Sequence, residues 1–162
     1  MAIKALTAGR RRNNGNLGEN GIAAIEFALI APVLLFLLLG LVQFGLTVGN
    51  YVMLTNAVNV GAMQFAISRS DTTPYTDTVS AIKAAAPTLT PANLTITLSV
   101  NGTACATDSA CSTALTAAAP SSGGSLQPAA VTVTYPCGSM LAGYNFWAST
   151  CQLTSTMTEG VQ

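Results

Sequence analysis

The chain has 162 residues, half of them hydrophobic and only 7% charged, against about 25% charged residues in an ordinary soluble domain. Six basic and six acidic residues cancel, and there is no histidine. This balance argues against a cytosolic globule. It also argues against a nucleic-acid binder, since no basic stripe with interleaved aromatics occurs past Gly21.

In chain order, residues 1–20 are polar and rich in Gly and Asn, poor helix formers with little to bury. They contain Lys4, Arg10, Arg11 and Arg12, four of the six basic residues. Basic residues flanking a membrane helix stay on the cytoplasmic side. The expected orientation is therefore N-terminus inside and C-terminal domain outside.

Gly21-Ile22-Ala23-Ala24-Ile25-Glu26-Phe27 then opens an apolar run that reaches Leu46 with one charge, Glu26. The run exceeds the roughly 20 residues a bilayer-spanning helix needs, and is too long for the core of a secretory signal. A carboxylate inside hydrocarbon costs roughly 2.5–3.5 kcal/mol on insertion scales, which makes Glu26 a functional residue by default. Pro32 removes one helix hydrogen bond, so a kink or loosening is expected there. Gly45 and Gly49 form a small-xxx-small pair, and Ala57 and Gly61 continue the spacing, which suits close helix approach.

From Thr47 to Ser68 the pattern turns amphipathic. Leu54, Val58, Gly61 and Phe65 recur at helical spacing. One helix from Ile22 to about Arg69 is expected, stopped by Ser70-Asp71-Thr72-Thr73-Pro74. A second helix should run from about Tyr75 to Ala86, before Pro87.

Three strands should follow. Leu94–Val100 and Val131–Tyr135 alternate strictly, and Cys151–Met157 does so more weakly. A mobile low-complexity loop is expected from Ala117 to Ala130. The fold class is α+β: a long N-terminal transmembrane and amphipathic helix packed by a small three-stranded antiparallel sheet. The domains are residues 1–21 as leader, 22–46 as membrane segment and 47–162 as the outer domain.

Cys105, Cys111, Cys137 and Cys151 all lie on the expected outer side, where an even count suggests disulfides. Four cysteines allow three pairings. Cys105–Cys111 and Cys137–Cys151 each close a short local loop and are the expected pair. Zinc is disfavoured, because the spacings are not C-x-x-C and histidine is lacking. No metal, cofactor or enzymatic activity is expected, for no nucleophile, base and orienter come together in the sequence.

The Gly21–Phe27 stretch resembles the processing site of type IV prepilins: a glycine, four apolar residues, glutamate and an aromatic. With the long helix, from about Arg10 to Ala66, the chain is similar to the TadE-like minor pilins (pseudopilins) of tight-adherence pili. The strand at Val131–Pro136 and a last strand ending near Glu159 are similar to that family's C-terminal pattern. Where the family often has arginine before the terminal acid, this chain has Thr158.

The resemblance implies that a prepilin peptidase cuts between Gly21 and Ile22. Ile22 then becomes the N-terminus and a candidate for methylation. The product joins other pilins and the assembly machinery at or in a pilus. Arg10, Arg11 and Arg12 serve chiefly as a topology signal. Glu26, with Phe27 beside it, would set axial register by pairing with a neighbour's freed amine. The competing expectation is an uncleaved single-pass inner-membrane protein whose periplasmic domain binds a ligand or partner.

Overall fold

The computed structural model describes residues 17–118, 125–137 and 151–162. Helix α1 spans Leu17–Ile67 and runs unbroken through Pro32. A single 3₁₀ turn, Ser68–Ser70, ends it. Helix α2 spans Pro74–Ala85 and starts on Pro74, where a missing N–H costs nothing.

A 3₁₀ turn at Pro91–Asn93 leads into β1, Thr95–Val100, and β2, Thr103–Cys105. Helix α3 is Asp108–Ala117. Strands β3, Pro128–Pro136, and β4, Gln152–Gly160, complete the chain.

The sheet has four strands, in the order β2-β1-β3-β4, and every pairing is antiparallel. Three strands were expected; the fourth is β2. It folds back on β1 through Asn101 and Gly102, whose φ angles of 50° and 78° both lie in the left-handed region. Asn-Gly is the residue pair that tolerates such a tight hairpin. Three residues are too few to show alternation, so the strand left no periodic signal.

Helix α3 is the second addition. Its Thr107 caps it by accepting from the N–H of Ala110 at 3.3 Å. The expected loop at Ala117–Ala130 is thus shortened at both ends, by α3 and by β3, and residues 119–124 lie outside the described set. Helix α1 already includes Leu17, the first described residue, rather than starting at Ile22, so Gly21 sits inside it. A glycine costs a helix about 1 kcal/mol relative to alanine, too little to stop one that continues into a long apolar run.

The chain divides into two compact units, residues 1–41 and 42–162. The second has one core. Leu54, Ala57, Val58, Ala62 and Phe65 of α1 are fully buried, along with Ile82 of α2, Leu98 of β1, and Val131 and Val133 of β3. The sequence pattern over Leu54–Phe65 therefore names the buried face of α1 correctly.

Gly61 packs tightly against α2. A Cβ there would collide with the Ile82 side chain and touch Val131 Cγ1 at 3.7 Å. Ala57 and Gly61 are consumed by the protein's own core, whereas Gly45 and Gly49 meet nothing within 4 Å. Only the first pair of the small-residue series remains open to another molecule.

The disulfides are Cys105–Cys111 and Cys137–Cys151, and no cysteine is free. The first ties β2 to α3 with both residues buried. The second closes the open end of the β3–β4 pair, where the Cys137 N–H also donates to the Cys151 carbonyl at 3.0 Å.

Candidate functional site: the N-terminal half of the long helix

The residues of the suspected cut and register site lie on consecutive turns of α1. Gly21, Ile22, Glu26 and Phe27 are all exposed, Ile22 at 63% and Phe27 at 72%. Ile22 and Glu26 are four residues apart, hence on one face of the helix. Arg10, Arg11 and Arg12 lie outside the described residues.

From Gly21 to Val42 only Ala31 and Leu39 are even half-buried. The helix is uncovered here because nearly every position is apolar, so no stripe is singled out for its own core. Among the described residues this is one helix long and apolar enough to cross a membrane; its best 18-residue window has a mean hydropathy of 2.7 and none of it is buried.

In the intact chain Glu26 lies at least two and a half turns inside α1, past the reach of the helix N-terminal dipole. Removal of residues 1–21 would bring that end to Ile22, one turn from Glu26. The favourable dipole and the new ammonium would then appear together.

At the junction with the second unit, Gln43 is 3% exposed although Val42 and Phe44 beside it are exposed. Among the described residues its amide nitrogen and oxygen have no hydrogen-bond partner. Its backbone carbonyl accepts from the Thr47 hydroxyl at 2.9 Å. The sequence reading did not single out Gln43. The available signal was a side-chain amide in an otherwise apolar stretch.

A second exposed region lies in the outer unit. Val60, Met63, Gln64, Ala66 and Ile67 of α1, with Glu159 and Gln162, line an open cleft of about 510 Å³. Val60, Met63 and Ile67 are 40%, 64% and 60% exposed. The sequence reading missed this strip, because it falls on the side of α1 opposite to the periodic core positions.

Away from the cleft, Asp108 clasps two helices. Its carboxylate accepts from the Thr76 N–H at 2.8 Å and from the Thr76 hydroxyl at 2.7 Å. Thr76 lies in the first turn of α2, where backbone donors lack helical partners. Asp108 thus caps α2 from the start of α3. The Thr76 backbone donor, then its hydroxyl, hold the Asp108 carboxyl below the ordinary aspartate range. No group of three or more metal-ligating side chains occurs among the described residues.

Residues 21–63 match the model of the family described as TadE-like protein. No curated protein and no solved structure matches the chain.

Proposed function

We propose that this chain, TadE-like over residues 21–63, is a minor pilin or pseudopilin of a tight-adherence pilus, anchored in the inner membrane by one helix and released for assembly by proteolysis. The observation that supports this most directly is where the family match begins. It starts at Gly21, the residue before the suspected cut, and takes in Glu26 and the whole uncovered apolar stretch. A helix that leaves its apolar side chains to lipid or to other helices suits a subunit that moves from membrane to fibre.

On this reading a prepilin peptidase removes residues 1–21 on the cytoplasmic side. The role is structural rather than catalytic. Glycine before the scissile bond leaves the peptidase free access to the backbone. Because Gly21 lies within α1, the peptidase must first unwind the helix around it, and glycine, a poor helix former, eases this. The freed ammonium of one subunit then pairs with Glu26 of a neighbour, which offsets the cost of holding a carboxylate in lipid.

Intact-mass measurement of the membrane-associated protein tests this. A mature chain starting at Ile22 is expected when the peptidase is present, and a chain retaining Met1 when it is deleted. Cells that build fibres while keeping residues 1–21 on this protein would overturn the reading in favour of an uncleaved anchor protein.

A further inference from the structure

We propose that the free edge of β4, together with the apolar cleft beside it, takes an extended basic segment of a different polypeptide as a fifth strand. Strand β4 is the last in the sheet and pairs with β3 along all its residues, Gln152 to Gly160, in unbroken register. Among the described residues no strand pairs with its other side. Sheet edges are normally protected by charge, proline, a bulge or shortness. Strand β4 is nine residues long without proline or lysine, and its one charge is Glu159 near its end.

The side chains at this edge are also incompletely covered. Leu153 and Met157 point to the core side yet are only half-buried. Beyond them lie exposed Val60, Met63 and Ile67, lining the cleft with Glu159. A strand laid on this edge gains main-chain hydrogen bonds from β4, every second side chain lies on the face of Leu153 and Met157, and the one opposite Glu159 meets the cleft. No basic residue lines the cleft, so Glu159 selects an incoming lysine or arginine.

Two geometric facts turn the choice away from a second copy. A symmetric β4–β4 pair needs a two-fold axis perpendicular to the sheet. That axis would reverse the α1 segment packed on the sheet, whereas copies anchored through the same helix must leave one membrane in one direction. This step rests on the assembly reading. Copies related by translation would instead bring β2 against β4, and β2 offers three residues, Thr103–Cys105, with no base among them. That is too short to cover the edge.

The test uses the full-length protein in detergent micelles. The probe is the fluorescent blocked peptide Thr-Lys-Thr-Val-Thr-Val-Thr-Val-Thr, which in antiparallel register sets its lysine opposite Glu159. It should bind about tenfold more tightly than the same peptide with glutamate in place of lysine. Glu159→Lys, a change at an exposed position, should invert that preference. Methylating alternate backbone nitrogens of the peptide should abolish binding.

Several results would overturn the proposal: no binding of the lysine peptide at millimolar concentration, equal binding of the methylated form, or indifference to Glu159→Lys. Cross-linking of β4 to β4 in the wild-type protein would overturn it as well, in favour of self-association. None of these bears on the mature N-terminus, so the processing reading stands or falls separately.

Discussion

At the residue scale, Glu26, Gly21 and Asp108 make separate predictions. Under the proposed processing, Glu26→Ala should be cut normally, because Glu26 is on the far side of the proposed scissile bond, but its recovery in sheared fibres should fall. Fibre incorporation equal to wild type would remove the register role. Gly21→Val should leave the chain uncut in membranes, since a β-branched side chain both obstructs the backbone and resists a change of conformation. Immunoblot mobility reads both outcomes.

For Asp108 the sign follows from a carboxyl whose folded pKa is depressed. Its contribution is complete above the ordinary aspartate value of 3.8 and is lost as pH falls through the lower folded value. Asp108→Ala should therefore lower the unfolding temperature at neutral pH, by an amount that shrinks in strong acid. Glu26 could be read from the sequence because one charge in an apolar run is conspicuous. Asp108 could not, because its partner Thr76 lies 32 residues away and only the packing of α3 beside α2 brings them together.

At the element scale, the same contrast separates what pattern shows from what contact decides. The buried face of α1, the existence of α2 and the strands β1, β3 and β4 all follow from periods of 3.6 and 2. Strand β2 and helix α3 do not. The first is three residues long, and the second has only Cys111 and Leu115 buried among serines, threonines and alanines. Their order comes from the Asn101-Gly102 hairpin, the Thr107 cap and the Cys105–Cys111 bond.

Removing that bond by Cys105→Ser with Cys111→Ser should cost about 2 kcal/mol by loop-closure entropy, measured by chemical unfolding. Gly61→Ala should cost about 1–3 kcal/mol, because Ile82 has to give way. An unfolding midpoint unchanged by Gly61→Ala would mean that α2 adjusts freely over α1.

At the scale of the whole molecule, the two units answer to different surroundings. Residues 42–162 have a core of their own, two disulfides and a sheet. Residues 22–41 are apolar apart from Glu26 and, among the described residues, exposed except at half-buried Ala31 and Leu39. The protein should therefore need detergent or lipid to stay dispersed before assembly, and light scattering on diluting the micelles away should show it aggregating.

The bareness of residues 22–41 has a further consequence for any mutational scan. Scored by folding of the purified polypeptide, apolar swaps in this stretch would register as silent, while Phe65 or Val131 would tolerate almost nothing. Scored by fibres on living cells, the same stretch would become one of the most restrictive. Subtracting one map from the other would isolate the positions whose constraints come from neighbours rather than from the chain itself.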